Sequence, residues 1–292
     1  MITLSAPVHA LPALLTPTEV TAAARAMGIA GGGTARLLAV LTDPLAEMEE
    51  VLASLHGEPA LAARVLKVAN SPFYHQAGTV GTLDRAIQVL GLDAIRGICA
   101  ACCMDRVPLT RAPGAPDPQQ FRLHSLATAV AATHLARQLA PARHAEAFIA
   151  GLLHDIGLVL LARLRPEAMA EIAELPASTP PATVLQLEHQ LTGMTHADCA
   201  AQLATAWCLP PWLVAAVGGH HGQPPADGSV STAALVQAAD LLAHRAGFGL
   251  HASCPLAEGR PGLGVGASDE GLDQLAAELP NHVQALAAAT AS

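Results

Sequence analysis

The segment AFIAGLLHDIGLVLLARL, residues 147–164, limits most tightly how this chain can fold. It reads as a buried helix, yet His154 and Asp155 stand side by side in the middle of it. An ionised carboxylate in an apolar interior costs several kcal/mol unless a cation, a metal or hydrogen-bond donors compensate it. The rest of the chain must therefore supply partners to the pair, and those partners bound the function.

Composition narrows the fold. The 292 residues are 52% hydrophobic but only 2% aromatic, and Ala and Leu dominate the apolar set. That balance provides a core and favours helices over sheets. The net charge of −9, with Lys67 the only lysine, argues against a broad nucleic-acid footprint. Arg64, Lys67 and Arg85 could form a local basic patch, but a solvated helix face is the simpler reading. No uninterrupted apolar stretch reaches the roughly 20 residues needed to span a bilayer. The first residues, MITLSAPVHALPALL, lack the basic region of a signal peptide, so a cytoplasmic protein without membrane insertion is expected. Of the six cysteines, Cys99, Cys102 and Cys103 fall in the apolar ICAACCMDR. No second cysteine or histidine pair stands at zinc-site spacing, so reduced core thiols are expected.

Breakers divide the chain. Gly31-Gly32-Gly33 closes an N-terminal extension, 1–33. A helical block follows over 34–108, then a proline-rich linker over 109–120. A second helical block covers 121–247, and 248–292 holds a Gly/Pro-rich segment and a last amphipathic helix. There is no internal repeat and no strand-turn-strand pattern, so the expected class is all-α.

Fourteen histidines are candidates for partners of the pair. His9, His56, His75, His144, His251 and His282 lie near breaks or in polar company and are read as surface. His134, His189 and His244 have charged or amide neighbours and are read as solvated helix faces. His124 differs, because positions 124, 127, 128, 131 and 135 form one small apolar face. His196 opens another helix with Ala200 and Leu203 on its inner side. His220 and His221 form a doublet between Gly219 and Gly222, and Asp240 is a second acid in apolar surroundings. Helical bundles build metal sites from such inward-projecting residues, and this N/O set suits Mn, Fe, Mg or Zn. The same seven residues could equally form a buried hydrogen-bonded network with no metal.

The order of these residues resembles the HD superfamily of metal-dependent phosphohydrolases. The surrounding motifs are similar to one branch of it, the HD-related output domain (HDOD) family. They are EPALAARVLKVANSPFY, AIQVLGLDAIRGI, FRLHS, EAFIAGLLHDIGLVLL, THADCAAQLATAWCLPPW and GGHH. Glu58 stands where that family usually has Asp. The resemblance covers residues 34–247 and implies two packed helical lobes, the C-terminal one HD-like. It implies His124, His154, Asp155 and Asp240 as ligands of one metal, and His196, His220 and His221 as positions for a second, with Asp155 bridging. One or two divalent ions are the cofactors so implied.

Two departures bear on activity. Superfamily members that cleave cyclic dinucleotides read His-Asp-Ile-Gly-Lys, whereas position 158 here is Leu. Their Gly-Tyr-Pro motif is absent, the only tyrosine being Tyr74. Losing a cationic side chain removes stabilisation of a phosphoryl transition state. The resemblance therefore implies first a bacterial signalling output module that binds a partner protein or a small ligand such as a nucleotide. A metal-dependent phosphohydrolase acting on a nucleotide or cyclic dinucleotide is the alternative, and in it Asp155 would be the catalytic residue.

Overall fold

The structure is a computed structural model that describes residues 14–30, 34–70, 79–109, 111–176, 179–223, 225–250 and 265–290. The glycine break at 31–33, His9, Tyr74, His75, His251 and Cys254 lie outside the described residues, as does most of the Gly/Pro-rich segment. The described residues are helical and contain no strand. In chain order the helices are α1 (Pro17–Ala30), α2 (Thr34–Thr42), α3 (Met48–His56), α4 (Pro59–Ala69), α5 (Leu83–Leu90) and α6 (Leu92–Met104). Then come α7 (Pro118–Leu139), α8 (His144–Leu153), α9 (Ile156–Leu164), α10 (Pro166–Ala173) and α11 (Pro181–Thr192). Last are α12 (His196–Ala206), α13 (Pro211–Gly219), α14 (Thr232–Arg245) and α15 (Asp269–Thr290).

Local chemistry sets the ends of these helices. Pro59, Pro118 and Pro211 occupy first-turn positions, where a missing N–H costs nothing. Asp117, Thr82 and Ser231 cap α7, α5 and α14 by accepting from backbone N–H groups of the first turn. Thr195 and Asp198 form a reciprocal capping box at the start of α12. Gly91, at φ +83, allows the 117° corner between α5 and α6.

Helix α6 is the core of the N-terminal lobe and is buried almost continuously from Ile95 to Met104. Its three cysteines are free and buried, as is Cys199. Burial lifts the Cys102 thiol to about 11 and those of Cys103 and Cys199 to about 12, so all three stay protonated and make poor metal ligands. In the C-terminal lobe α7 packs along α8 and α14 through a small-residue face that includes Ala127, Ala131 and Leu135. A Cβ on Gly151 of α8 would lie 2.9 Å from Ala129 Cα, so the two helices meet at backbone distance.

The first and last described helices are built into the body. Val20, Ala24 and Met27 of α1 are buried against α9 and α12, and Trp207 Nε1–H donates to Ala24 O at 2.7 Å. The sequence extension thus contains a docked helix of the C-terminal lobe. Helix α15 lies across both lobes, touching α4 and α6 on one side and α7 and α14 on the other. Beneath it Arg64 pairs with Asp105 and Thr290 O, while Arg122 reaches Asp105 at 3.0 Å and Thr290 Oγ1 at 2.7 Å. Arg64 is therefore part of a seam between the lobes, and the expectation of a solvated face fails for it.

One apolar run bears on the membrane expectation. Pro141–Leu164, a 24-residue run, is long and apolar enough to cross a bilayer by length and composition. Yet 83% of its apolar window is buried inside the protein, and His154 and Asp155 interrupt it, so it is core. Burial of the terminal helices yields a stability prediction. Met27→Ala in α1 and Leu279→Ala in α15 are each expected to cost about 2–5 kcal/mol, read as lower urea midpoints at unchanged slope.

Candidate metal centre

Five separate stretches of the C-terminal lobe deliver side chains to one point. His124 comes from the inner face of α7, and His154 and Asp155 occupy the junction of α8 and α9. His196 is the first residue of α12, His220 and His221 follow α13, and Asp240 lies mid-way along α14. All seven residues singled out in the sequence are thus brought together.

The two oxygens of Asp155 face different groups. Oδ2 lies 3.4 Å from both His124 Nε2 and His154 Nε2. Oδ1 lies 3.4 Å from His196 Nε2 and 3.6 Å from His220 Nε2. Asp240 Oδ1 joins the first group, 3.3 Å from His124 Nε2 and 3.8 Å from His154 Nε2. His221 joins the second, its Nε2 3.0 Å from that of His196. Asp155 therefore connects two half-sites, His124/His154/Asp240 and His196/His220/His221.

Two participants were missed in the sequence. His244, read as a solvated face, points inward with Nε2 3.4 Å from Asp240 Oδ1, and its side chain is 13% exposed. The i, i+4 spacing of Asp240 and His244 puts them on one helix face and was the available signal. Glu188 of α11 is buried and accepts from both the Nδ1–H (2.8 Å) and the backbone N–H (2.8 Å) of His196. It sits in the polar stretch LQLEHQL, where no pattern marks it as internal.

Acceptors outside the cluster fix the imidazole tautomers. His124 Nδ1–H donates to Phe248 O at 2.9 Å, His154 Nδ1–H to Gly151 O at 2.8 Å and His220 Nδ1–H to Val217 O at 2.7 Å. Carbonyl oxygens only accept, so each Nδ1 carries a proton and each Nε2 turns its lone pair inward. His124 and His154 Nε2 then stand 3.2 Å apart, and His196 and His220 Nε2 3.4 Å apart. Lone pairs at those distances need a cation between them. Asp240 Oδ1 makes the same demand, with the Nε2 atoms of His124, His244 and His154 at 3.3, 3.4 and 3.8 Å around it. Orientation of ligating imidazoles by outer carbonyl and carboxylate partners is the usual outer shell of a metal site. The donor set fits one or two divalent ions.

Protons are the other cations that can fill the gaps. Burial favours a neutral His124, but hydrogen bonds and charge from Asp155 and Asp240 outweigh it and hold the ring up at about 10. His196 is likewise held at about 9 by Glu188 and Asp155 against burial. Burial lowers His220 and His244, and burial with the neighbouring His220 and His196 charges lowers His221 well below the usual range. Burial alone would raise the two aspartates, yet His154 beside Asp155 and the His124 hydrogen bond to Asp240 keep both far below it.

Gly157 explains the spacing of HDIG. A Cβ there would lie 1.9 Å from His196 O and 2.7 Å from Ala200 N, so α9 and α12 touch through this glycine. The contact sets His196 beside Asp155. Leu158, the next residue, is buried in the core.

Two predictions follow from this geometry. Gly157→Ala is expected to destabilise the fold by about 1–3 kcal/mol in urea unfolding and to weaken metal binding, because α12 must retreat with His196. In the metal-free protein the raised His124 and His196 stabilise fully below their unfolded value near 6.5, and that stabilisation is lost as pH rises through about 9–10. A divalent ion displaces those protons, so Mn or Zn affinity measured by calorimetry is expected to rise between about pH 6 and about pH 9, with proton release.

Comparison with known proteins agrees with the geometry. The HDOD domain pattern matches residues 33–223. An uncharacterised Treponema pallidum protein is 25% identical over 191 residues, 64% of this chain, and this chain spans only 36% of its length. Among solved structures, a candidate phosphohydrolase from Shewanella amazonensis is similar at 25% identity and TM-score 0.68, covering 88% of this chain and 93% of that one. A candidate signal-transduction protein from Marinobacter aquaeolei gives 24% and 0.68, covering 88% of this chain and 58% of its own. An HDOD domain protein of unknown function from Geobacter sulfurreducens gives 22% and 0.66, covering 96% and 93%. The last two show the shared fold.

Proposed function

The chain belongs to the HDOD family, and from that premise we propose that it is a bacterial signalling output module built around a metal centre. Its proposed partner is a cytoplasmic signalling protein or a small ligand such as a nucleotide. The observation that carries this reading is the enclosure of the donor set, in which only His221 is partly exposed. None of the side chains of His124, His154, Asp155, His196, His220, Asp240 and His244 is more than 13% exposed. A hydrolytic site must admit a phosphate ester to the reacting atoms, whereas a centre that fixes helix positions works best closed. Leu158 supports the same conclusion, because its apolar side chain stands where phosphodiesterase relatives carry a lysine.

The residues supported as holding one ion are His124, His154, Asp155 and Asp240, with His244 in reach of Asp240. His196, His220 and His221, with the second oxygen of Asp155, are supported as holding another. An imidazole-rich set favours Fe, Mn or Zn over Mg. In this role Glu188 positions His196, and Asp155 ties α7 to α12.

A phosphohydrolase is the second reading, favoured by the bridging placement of Asp155 and by likeness to the Shewanella protein. Divalent ions supply Lewis acidity toward phosphoryl oxygens. Asp155 and Asp240 would hold the negative charge that keeps such ions in place, and His221 at the edge would lie nearest an entering ester.

One experiment separates the readings. Purified protein is assayed for bound metal and, with Mn or Fe supplied, for hydrolysis of nucleotides and cyclic dinucleotides. Stoichiometric metal without turnover is expected, and metal should be lost in Asp155→Ala. Metal-dependent turnover abolished by Asp155→Ala would overturn the output-module reading in favour of the enzyme.

A further inference from the structure

On the side of the molecule where the lobes meet, a cavity of about 470 Å³ opens among α6, α7, α8 and α15. That is within the size range of small-molecule sites, roughly 300–1,000 Å³. It shares no residue with the metal centre. We propose that it is a second ligand site, for a small organic anion with an apolar body and one anionic head group.

Its lining has two kinds of surface. Ile98 of α6, Phe148 of α8 and Leu286 of α15 give an apolar floor. Around it stand Arg137 and His134 from α7, His144 from α8 and His282 from α15. One acid, Asp93, shares the lining and lies 4.0 Å from His144 Nε2 across the lobe boundary. The lining is biased toward hydrogen-bond donors: a guanidinium and three imidazoles face one carboxylate. Burial lowers His134, so the positive charge there is that of Arg137.

Backbone adds to the bias. The first turns of α6 and α8 both contribute to the lining, through Leu92 to Ala94 and through His144 and Ala145. Neither helix has a side-chain cap on its N-terminal N–H groups. The positive end of the α6 dipole therefore faces the cavity that Arg137 borders, whereas α8 continues the 3-10 turn Pro141–Arg143. Asp93 offsets part of this at α6. The floor selects for an apolar body, since Ile98 and Leu286 are buried and leave no polar atom there for a sugar or a hydrated ion.

The position gives such a ligand a lever. The cavity walls come from both lobes, so occupancy favours the lobe arrangement that forms it. Helix α8 begins at the cavity with His144 and ends at His154 in the cluster, about 15 Å away at 1.5 Å per residue. The site itself does not depend on the metal reading, because none of its residues belongs to the cluster.

The test uses 8-anilinonaphthalene-1-sulfonate, an apolar ring system with one anionic group, titrated by fluorescence into the full chain. One bound dye per chain is expected, displaced by phenyl phosphate if a phosphate head is preferred and by octanoate if a carboxylate is. Ala94→Trp fills the cavity and Arg137→Glu reverses its main charge. Each is expected to weaken dye binding roughly tenfold or more at unchanged circular dichroism. Chelation of bound metal with EDTA is expected to leave it unchanged, so a failed metal reading and a failed cavity reading give different results. Absence of a stoichiometric dye site, or wild-type affinity in either folded variant, overturns the proposal. Should Ala94→Trp not fold, Arg137→Glu at its exposed position decides alone.

Discussion

Asp155 and Asp240 bring two negative charges into a helical interior, and a third, Glu188, lies buried behind His196. In that setting uncompensated carboxylates would be very costly, so the lobe has to be arranged around positive charge. Six imidazoles answer the demand, four of them with Nδ1 tied to a carbonyl or carboxylate outside the cluster. These ties fix ring orientation and also fix the helices that supply the acceptors. Phe248 O holds the end of α14 over His124, and Glu188 holds α11 against the start of α12. The positions of α7, α8, α9, α11, α12 and α14 thus all answer to one electrostatic problem. Breaking one partner leaves a buried charge unmatched, and for that reason the cluster is a structural element whatever reaction it does or does not support.

The sequence showed the cluster because polar residues inside apolar runs are conspicuous. His124, His154, Asp155, His196 and Asp240 each interrupt an apolar face, and the glycines around His220 and His221 signalled a close approach. His244 was hidden by its neighbour Arg245 and by the helix-end position, where a solvated histidine is common. Glu188 was hidden for a different reason. It lies in a helix whose other residues are mostly polar or half-buried, so no periodicity separates the inward position from the rest. The all-α class was legible from composition and spacing, and so was the opening of α12 at His196. Docking of α1 and α15 was not, because which neighbour an amphipathic helix selects depends on surfaces formed by distant parts of the chain.

The HDIG stretch combines two constraints that the sequence presents as one motif. His154 and Asp155 answer to charge, while Gly157 answers to space, since α12 passes where a side chain would stand. Leu158 then belongs to the core. A lysine at that position would need an altered environment as well as an altered residue, so a cationic group here is not one substitution away from the present fold.

Helix α1 is synthesised well before the partners that bury it, α9 and, through Trp207, the end of α12. Some 180 residues separate Ala24 from Trp207, and until the later segment leaves the ribosome only α2 is at hand beside Val20, Ala24 and Met27. Their apolar face must wait through that interval, at roughly 5–20 residues per second. Closure of α15 over both lobes comes later still. The order of translation therefore runs against the order of docking. This makes the nascent chain, rather than the finished protein, the stage at which this fold is most exposed to aggregation and to chaperones.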